Sequence, residues 1–489
     1  MKKRTKVILG ALGAAAAANC VHAAVYKPEK KTAIALQPET CDAERACERI
    51  SQALQIPTIS HPDKTKVDWS QFDRFHRFLE ESYPLIHEKL EKEVVTDANL
   101  LFYWKGKNPD LEPIALLSHQ DVVPVAPGTE EDWTYPAFSG HNDGEFIWGR
   151  GALDMKNHLI GVMEAVETLL EEGFEPERDV YLCFGCDEEV VGSENGGAKA
   201  MATLLAERGV HLDSVLDEGG AILPVHVKGF FDGYLAGVGI AEKGYADFEI
   251  SLETKGGHSS QPPKHSGLGE MAKVISDLEN HQFKAQVMPF LTDLFDTIGR
   301  KSSYPARLVL CNFPLLMPLV REVMKQIPPA ASLIRSTTGV TMASGSPAAN
   351  VLPQNASIVV NFRAMPGTSI ADIEKHIHKV VRNKKIIVKT LKSKEASRFS
   401  STDSRAFRVI ESVTTANHPD AAVAPFLVMG GTDACYYEGI CDHVYRFSPF
   451  IADTKLLLCT HGTDERLPVD SVGEAVVFFK RYIRALASE

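Results

Sequence analysis

Two periodicities of apolar residues divide the chain into two kinds of structure. From about Thr32 to Gly239, short apolar runs alternate with stretches in which apolar residues recur every three or four positions, as in strands and their covering helices. The clearest helix covers residues 155–172 and ends at Gly173, a typical C-terminal cap. Buried strands are predicted at residues 114–117, 180–184 and 214–216. The pattern predicts an α/β domain with a mostly parallel sheet and flanking helices.

The periodicity changes near residue 240 and returns near residue 397. Residues 245–253 and 356–363 alternate strictly between apolar and polar, which is typical of strands buried on one face. Helices are also predicted at residues 370–381, 407–416 and 471–487, and strands at residues 386–390 and 444–447. We predict that residues 240–396 form a smaller α+β domain, inserted between the two parts of the first domain, 32–239 and 397–489.

The N-terminus has the features of a secretory signal. Four basic residues come first, Lys2, Lys3, Arg4 and Lys6. An apolar stretch from Val7 to Ala18 follows, and small residues at positions 21 and 23 suit a signal peptidase. The apolar stretch is shorter than the roughly 20 residues of a membrane-spanning helix. We therefore predict a cleaved signal at residues 1–23 and an exported protein, periplasmic or secreted, with an uncleaved signal anchor as the alternative.

Composition narrows the classes of partner. The 489 residues are 44% hydrophobic and 24% charged, as in ordinary globular proteins, and the net charge of −12 excludes a phosphate-tracking surface for nucleic acid. The one basic run, residues 382–394, is better explained as the solvated face of a strand. Cys183 and Cys186 have CxxC spacing but fall in a predicted buried strand, which favours a packing role. In an oxidising compartment two disulfide bonds are possible, Cys41 with Cys47 or Cys435 with Cys441, and the sequence establishes neither.

Acids and imidazoles recur directly after apolar runs in six short segments. These segments are centred on Asp121, Asp154, Glu189, Asp217, His258 and His461. Taken alone, Asp154 fits a helix N-cap and a single histidine usually makes only hydrogen bonds. Taken together, oxygen and nitrogen ligands suit Zn²⁺ or a similar ion, and a shared carboxylate can hold two ions around one water. The segments therefore predict metal-assisted hydrolysis.

Two local patterns sharpen this prediction. His119 and Asp121 stand two residues apart in an extended segment, so both side chains point the same way and Asp121 can hold the imidazole. Asp187, Glu188 and Glu189 directly follow a buried strand, where three acids repel each other unless a cation neutralises them. Because neighbouring side chains in an extended chain point opposite ways, one glutamate can bind metal while the other acts as general base. A solvated turn is the alternative.

These segments resemble the two-metal amidohydrolase and peptidase family that includes aminoacylase, glutamate carboxypeptidase, succinyl-diaminopimelate desuccinylase and carboxypeptidase S. The resemblance covers residue 50 to the C-terminus and is closest to the carboxypeptidase S-like branch. It implies two Zn²⁺ ions, with Co²⁺ or Mn²⁺ as substitutes, and Asp154 as the bridging ligand. One ion would have His119 and Asp217, and the other would have Glu189 and His461. Glu188 would be the general base, and Asp121 would support His119.

The inserted domain is similar to the lid of that family. The resemblance implies that His258 stabilises the oxyanion, that Asn350 and Arg363 bind the substrate, and that Gly430 and Gly431 help to hold its carboxylate. Without the family, an outward strand arginine is the commoner explanation for Arg363. Short-lid members are dimers in which the histidine acts in the neighbouring subunit. Extra sequence between about residues 279 and 337 leaves this homodimer open here.

The predicted function is zinc-dependent cleavage of an amide bond that releases an amino acid with a free carboxylate. A carboxypeptidase or dipeptidase for short peptides is the first prediction, and an N-acyl-amino-acid amidohydrolase is the alternative. A metal-bound protein that binds amino-acid derivatives without cleaving them is a remote third. The partner in each case is a small molecule.

Overall fold

The computed structural model describes residues 2–28, 34–190 and 196–488. The predicted boundary at residue 32 lies outside these ranges. The helices are α1 Lys2–Val25, α2 Ala43–Leu54, α3 Trp69–Ser82, α4 Pro84–Lys89, α5 Lys156–Glu171, α6 Gly197–Glu207, α7 Gly267–Asn280, α8 Pro289–Lys301, α9 Tyr304–Leu310, α10 Phe313–Met324, α11 Pro328–Ser332, α12 Ile370–Val380, α13 Arg405–Asn417, α14 Thr454–Leu457 and α15 Val469–Ala487.

The strands form a large sheet, a smaller four-stranded sheet and two short ribbons. The strands are β1 Glu91–Val95, β2 Asn99–Trp104, β3 Ile114–His119, β4 His141–Asn142, β5 Phe146–Trp148, β6 Val180–Gly185, β7 Ser214–Asp217, β8 Ile222–Val227, β9 Phe231–Glu242, β10 Gly244–Glu253, β11 Gly257–His258, β12 Thr337–Ser344, β13 Val351–Leu352, β14 Asn355–Ala364, β15 Ile387–Lys394, β16 Ala422–Val428, β17 Val444–Arg446 and β18 Arg466–Pro468.

The large sheet has the strand order β1-β2-β6-β3-β7-β17-β9-β16, and β8 pairs with β9. Its central strands β6, β3, β7 and β17 are parallel, which confirms the predicted mostly parallel sheet. Every residue of β3, β6 and β7 is buried, as their apolar runs indicated. Helix α5 covers the sheet and ends at Glu171, and Gly173 follows with φ of +72°. The predicted C-terminal cap is therefore confirmed.

The smaller sheet has the order β12-β14-β10-β15, with α7 and α12 packed on it. Strands β10 and β14 are antiparallel, and their apolar positions alternate into one core around Phe248 and Phe362. Strand β15 carries the basic run at the edge of this sheet with most of its residues exposed or half-exposed, as predicted. We call this sheet with α7 and α12 the lid. It is joined to the large sheet at residues 242–244 and 394–397.

The middle of the inserted segment packs outside the lid. Residues 289–332, here called the helical insert, contain α8 to α11, and α8 lies against β16 and β9 of the large sheet. Phe290, Leu291 and Leu294 belong to the main core, and the backbone amide of Gln286 donates to the carbonyl of Ile334. The structure therefore divides residues 240–396 between the lid and a helical layer on the large sheet.

The predicted signal sequence forms most of α1, whose last turns contact the helical insert. Asn19 Nδ2 donates to the carbonyl of Leu308 at 3.0 Å, the Tyr26 hydroxyl donates to Asp296 at 2.7 Å, and Ala23 is buried. Among the described residues, α1 included, helices with the length and apolar character needed to cross a bilayer are absent.

All nine cysteines are free thiols in the structure. Neither pairing left open by the sequence, Cys41 with Cys47 or Cys435 with Cys441, is formed. Cys183 and Cys186 are buried, and desolvation raises the pKa of Cys183 to about 12. A thiol in such surroundings stays protonated and packs as a small apolar residue.

Candidate active site

The candidate site lies where three parallel strands of the large sheet end. Strand β3 pairs with β6 on one side and with β7 on the other, and His119 at the end of β3 lies opposite Gly185 at the end of β6. Because parallel strands present their carboxyl ends at one edge, the residues that follow β3, β6 and β7 meet there. The loop before α5 and the turn at His461 complete the group.

Five side chains converge at this edge. Nε2 of His119 lies 3.1 Å from Asp154 Oδ1, and Nε2 of His461 lies 3.1 Å from Asp154 Oδ2. Nε2 of His461 is also 3.1 Å from Glu189 Oε2, and Nε2 of His119 is 4.0 Å from Glu188 Oε2. The two oxygens of Asp154 therefore face different histidines, which is the arrangement that a bridging carboxylate requires. The alternative role of Asp154 as an N-cap is not seen, since Met155 occupies that position of α5.

Asp121 organises this group through the backbone. Nδ1 of His119 lies 2.9 Å from the main-chain oxygen of Asp121 and 3.4 Å from its carboxylate. The same carboxylate accepts hydrogen bonds from the amides of Glu188 and Glu189, each at 3.2 Å. Asp121 thus connects the end of β3 to the acidic loop after β6, and it orients a histidine and two glutamates together.

Asp217 and Glu218, the two acids at the end of β7, make different contacts. The carboxylate of Asp217 accepts from the amides of Glu218 at 2.8 Å and Ala434 at 2.7 Å. Glu218, one residue further on, places Oε1 at 3.4 Å from Nε2 of His119. The acid that reaches His119 is therefore Glu218, while Asp217 anchors the turn around Ala434.

The charges of the group call for a cation. Burial raises the pKa of Glu188 well above its ordinary value, and burial together with Asp154 raises the pKa of Glu218 to about 8. Hydrogen bonds to Asp154 and Glu189 raise the pKa of His461 to about 10. Oε1 of Glu189 is buried without a hydrogen-bond partner. Buried carboxylates packed this closely repel each other unless a cation neutralises them, and the imidazole and carboxylate donors fit Zn²⁺.

A cavity of about 420 Å³ opens beside these acids and reaches the lid. Its lining contains Glu188, Glu189 and His461 of the site, and it also contains Lys243, Arg363 and Lys394, three basic residues here called the basic wall. The lining also includes Val123, Asp187, Val190, Gly196, Tyr245, Gly430, Gly431, Thr432, Asp433 and Tyr436. The cavity therefore contains both metal-ligating residue types and cations, which suits a substrate with an amide and a carboxylate.

Three cations from the junction between lid and sheet form the basic wall. The Arg363 guanidinium lies 4.7 Å from the ring centre of Tyr245, its partner across β10 and β14. Glu242 lies 2.7 Å from Lys394 Nζ and raises the pKa of that lysine, although burial opposes the shift. Burial lowers the pKa of Lys243 to about 8. Arg363 is half-exposed, and its planar guanidinium suits a carboxylate that enters the cavity.

Glu242 couples the lid to the loop that carries Gly430 and Gly431. Its buried carboxylate accepts from the amide of Thr432 at 3.0 Å and pairs with the fully buried Arg446 at 3.2 Å, in addition to Lys394. The basic wall and the glycine loop thus share one buried acid. Movement of β15 would be transmitted to the loop through these contacts.

His258 and Asn350 lie away from this cavity. They are on the ribbon of β11 and β13, where the amide of Ser259 donates to the carbonyl of Asn350 at 3.1 Å. The His258 side chain is exposed, and its Nδ1 accepts from the amide of Ser260. Within the described part of one chain, neither residue lines the cavity. Their predicted roles require a second chain or a movement of the lid.

Known proteins can be compared with this geometry. The chain is 34% identical over 443 residues to a probable carboxypeptidase S-like 2 from Dictyostelium discoideum, covering 89% of this chain and 84% of the relative. It is 31% identical over 444 residues to the N-fatty-acyl-amino acid synthase/hydrolase PM20D1 of Bos taurus, covering 89% of this chain and 87% of the relative. The model of peptidase family M20/M25/M40 matches residues 115–485. The chain belongs to the M20/M25/M40 peptidase family.

Membership in the M20/M25/M40 family confirms the resemblance derived from the motifs, and this chain is a metal-dependent hydrolase of amide bonds. The fold agrees with a solved M20 family metallo-carboxypeptidase, Sso-CP2 from Sulfolobus solfataricus. The TM-score is 0.62 at 19% sequence identity, with 90% of this chain and 98% of that chain covered. The predicted α/β architecture is confirmed.

A buried ion pair of this M20-family chain holds two ligand loops in register. Oε2 of Glu465 lies 2.5 Å from Arg150, and Oε1 accepts hydrogen bonds from the amides of Gly151, Leu153 and Asp154 at 2.9–3.1 Å. Arg150 also donates to the carbonyl of Gly462, next to His461, at 2.9 Å. Glu465 therefore orients the backbone that carries the bridging acid, and Arg150 ties this backbone to the second histidine.

Replacing Glu465 with glutamine is expected to lower metal affinity by about 10–100-fold, because partners that orient metal ligands have effects of this size. Glutamine keeps an acceptor for the amides but leaves Arg150 buried without its counter-charge, so the melting temperature falls as well. Competition with a fluorescent chelator would measure the affinity. Glu474→Gln, at a half-exposed glutamate of α15, is the matched control, and equal affinity in both variants would contradict the positioning role.

Glu218, Lys394 and Glu465 are among the site residues that the sequence prediction missed. Glu218 follows a predicted ligand, and only the direction of its side chain distinguishes it from Asp217. Lys394 ends the basic run that the sequence assigned to a solvated strand, and Glu465 stands in an ordinary polar turn. The signals available were the paired acids Asp217 and Glu218 and the Arg150–Gly151 segment before Asp154. Neither signal identifies the contact that gives the residue its role.

Proposed function

We propose that this chain is a di-zinc carboxypeptidase or dipeptidase that releases an amino acid from a short peptide. The observation that carries the proposal is one cavity lined both by Glu188, Glu189 and His461 of the site and by Lys243, Arg363 and Lys394. The acids and the histidine suit cations acting on an amide, and the three basic residues suit the free carboxylate of the released amino acid. The carboxypeptidase S-like relative supports the same activity.

Two groups of side chains would hold the ions. His119, Glu218 and Oδ1 of Asp154 form one group, while His461, Glu189 and Oδ2 of Asp154 form the other. Nitrogen and carboxylate donors suit zinc, with cobalt or manganese as substitutes. When bound, such ions lower the pKa of water to about 7 and withdraw electron density from the carbonyl.

Replacing each of the two acids at the end of β7 separately would identify which of them is the metal ligand beside His119. Glu218→Gln is expected to lower the metal content toward one ion per chain, because it removes the carboxylate nearest to His119. Asp217→Asn is the matched variant, and it is expected to keep more metal while weakening the turn at Ala434. Mass spectrometry of metal content after gel filtration measures both variants. Metal loss confined to Asp217→Asn would instead support Asp217 as the ligand.

Glu188 would move the proton. It accepts a proton from the attacking water, whose oxygen forms the new bond to the carbonyl carbon. As the carbon–nitrogen bond breaks, Glu188 gives this proton to the leaving nitrogen, so that the products are an amine and a carboxylic acid. Asp121 keeps Glu188 in place through the amide hydrogen bond. Arg363 binds the carboxylate of the leaving amino acid, with Gly430 and Gly431 beside it.

Replacing Arg363 with alanine should raise KM about 10–100-fold for substrates with a free α-carboxylate, since a charge-assisted hydrogen bond is worth about 1.5–3 kcal/mol. The same peptides with an amidated C-terminus should change much less, because they lack the group that the guanidinium binds. Steady-state kinetics on matched acid and amide substrates would show the difference. Arg363→Lys keeps a charge and should recover part of the loss. Equal effects on acids and amides would remove Arg363 from carboxylate binding.

The second candidate function is hydrolysis of N-acyl amino acids. The PM20D1 relative from Bos taurus is nearly as similar as the carboxypeptidase S-like relative, and both products have the same amine end. The two functions therefore differ only on the acyl side of the cavity. An assay of amino-acid release that compares dipeptides with N-acetyl and N-long-chain-acyl amino acids would distinguish the two functions. Preference for the acyl substrates would replace the peptidase proposal, and binding without any release would favour the non-catalytic alternative.

His258 and Asn350 would complete the site from the lid. Their exposed ribbon supports contact with a neighbouring active site in a homodimer, or movement of the lid within one chain. The edge strand β12, with Met342 65% exposed, offers a surface for such a homodimer. Mixing a His258→Ala chain with a Glu188→Gln chain tests the first case. Recovered activity indicates a site shared between two chains.

The location of the protein follows from its N-terminus. We infer that residues 1–23 direct export, since basic residues precede an apolar stretch and small residues follow. A tether through an uncleaved N-terminus is the alternative. N-terminal sequencing of the protein isolated from its cells would distinguish the two.

A further inference from the structure

A second, smaller cavity adjoins the cavity of the candidate site. It has a volume of about 150 Å³ and is lined by residues from two segments, 60–69 and 186–190, and by Lys392. We call it the side cavity, and we call the cavity of about 420 Å³ the main cavity. Asp187 and Val190 line both cavities, so the two meet at the loop that contains Glu188 and Glu189.

The chain before Ser60 is fixed beside the predicted metal ligands. Oγ1 of Thr58 donates to the carbonyl of Gln120 at 2.6 Å, and the amide of Val122 donates to the carbonyl of Thr58 at 3.0 Å. Gln120 and Val122 flank Asp121 in the sequence. This pairing therefore holds Ser60, which lines the side cavity, at the same edge of the sheet as the site.

Part of the lining of the side cavity is apolar. Val67, Trp69 and Cys186 line it and belong to the apolar cluster around Phe72. The ring of Trp69 is fixed in place, with its centre 5.4 Å from the ring centre of Phe72. Val67 and Trp69 are only half-buried, which leaves apolar surface for an entering group to cover.

One buried polar atom of this lining calls for a ligand. Ser60 is 7% exposed, and its Oγ is buried without a hydrogen-bond partner among the described residues. Leaving a buried hydroxyl unsatisfied is unfavourable, and a polar group that enters the cavity can satisfy it. The α-amino group of a peptide is such a group, because it stands beside the side chain of the first residue.

The charges around the side cavity balance. Four titratable side chains line it, namely His61, Lys64, Asp187 and Lys392. Lys64 pairs with Asp97, and the carboxylate of Asp187 accepts from the amide of Gly197 at 2.7 Å. His61 accepts from the amide of Asp63 at 2.9 Å through Nδ1. Among the described residues, two lysines thus stand against two acids, which favours an entering side chain without charge.

The volume limits the size of that side chain. A cavity of about 150 Å³ holds a group of about the size of benzene. The side chains of leucine and phenylalanine are of this size. A long fatty acyl chain would leave most of its carbon atoms outside the side cavity.

We propose that the side cavity binds the acyl-side residue of the substrate, with its apolar side chain against Val67 and Trp69 and its α-amino group at Ser60. This inference rests on the proposed function, in which the leaving amino acid is held at the basic wall. Lys243, Arg363 and Lys394 line the main cavity and are not among the described residues that line the side cavity. An amide placed at Glu188 and Glu189 therefore has its carboxylate side in the main cavity and its acyl side at the side cavity.

A dipeptide series with glycine as the leaving residue tests this assignment. Wild-type kcat/KM for leucyl-glycine is expected to exceed that for glycyl-glycine about 10–100-fold, the gain from burying an aliphatic side chain. Val67→Phe fills the side cavity and should remove most of this preference, while glycyl-glycine is still cleaved. Val94→Phe, at a residue of β1 that is 50% exposed, is the matched control and should keep the preference. An unchanged preference in Val67→Phe would overturn the proposal.

Ser60→Ala tests the polar contact with a smaller change. It should lower kcat/KM about 2–10-fold for leucyl-glycine, the range of one hydrogen bond, and should leave the analogue without the α-amino group unchanged. Equal effects on both substrates would remove Ser60 from recognition of the amino group.

The length of the acyl group tests the volume. Among N-acyl glycines, kcat/KM is expected to rise from acetyl to hexanoyl and then to level off, because about six carbon atoms fill the side cavity. A continued rise up to palmitoyl would overturn the size limit.

Binding without turnover separates this inference from the proposed function. Calorimetry on zinc-loaded Glu188→Gln protein, with and without Val67→Phe, compares the affinities for leucyl-glycine and glycyl-glycine. Cleavage of both dipeptides at equal rates by the wild type would refute the side-cavity assignment and leave the peptidase proposal standing. Tighter binding of leucyl-glycine that Val67→Phe abolishes, without release by the wild type, would support the assignment and refute the peptidase.

Discussion

Replacing Glu188 with glutamine is expected to lower kcat by about 10²–10⁴-fold, the usual contribution of a general base, while the bound metal stays the same. The side chain is only 15% exposed, its Oε2 lies 4.0 Å from His119 Nε2, and it lines the cavity. Glutamine has the same shape but cannot accept the proton of water. The amide of residue 188 would still donate to Asp121, so the acidic loop keeps its position.

Single-turnover kinetics with metal analysis would measure this effect. Glu175→Gln, at an exposed glutamate paired with Lys107, controls for the chemical change alone. Activity close to that of the wild type would exclude Glu188 as the base. Activity lost together with metal would make Glu188 a ligand instead.

Replacing Asp154 with asparagine is expected to lower activity more than about 100-fold, beyond the effect of an outer partner of a ligand, and to reduce metal content at both positions. Its two carboxylate oxygens each lie 3.1 Å from a different histidine, so the loss of one charge weakens both groups of ligands. Asparagine offers a single neutral oxygen, which cannot bridge two cations in the same way.

Metal content per chain and turnover are both measured in the wild type, in Asp154→Asn and in a matched control. Asp68→Asn serves as the control because Asp68 caps α3 at the surface and asparagine caps helices equally well. Loss of only one ion in Asp154→Asn would show that Asp154 belongs to one group and is not shared.

Much of the fold could be predicted because its signals are local. Strands β3, β6 and β7 are continuous apolar runs, and such runs predict buried strands of a parallel sheet. The strict alternation of β10 and β14 predicts a sheet with one covered face. The domain bounds remain a prediction: sequence order places the helical insert with the lid, and in the structure α8 of the insert also packs on β16 and β9 of the large sheet.

The residue types of the candidate site, and their positions at the ends of strands, could be predicted from the sequence. His119, Asp154, Glu189 and His461 were expected to meet, and the structure brings them together. The assignment of Asp217 remains a prediction beside the closer Glu218. His258 and Asn350 were expected near the substrate, but their ribbon lies away from the cavity of a single chain. Their place depends on contacts between chains or on lid movement, which have no local pattern.

The sequence by itself determined the α/β architecture and the metal-ligating residue types, because each depends on short-range periodicity or on a motif at a strand end, and the family resemblance of those motifs implied amide hydrolysis. Tertiary structure decided which acid faces His119, how Glu465 and Arg150 join two loops, and that Lys394 faces the cavity. It also decided that residues from segments 60–69 and 186–190 line one side cavity. The physical reason is that these features arise where distant segments pack together, and the direction of a side chain there depends on its neighbours in space.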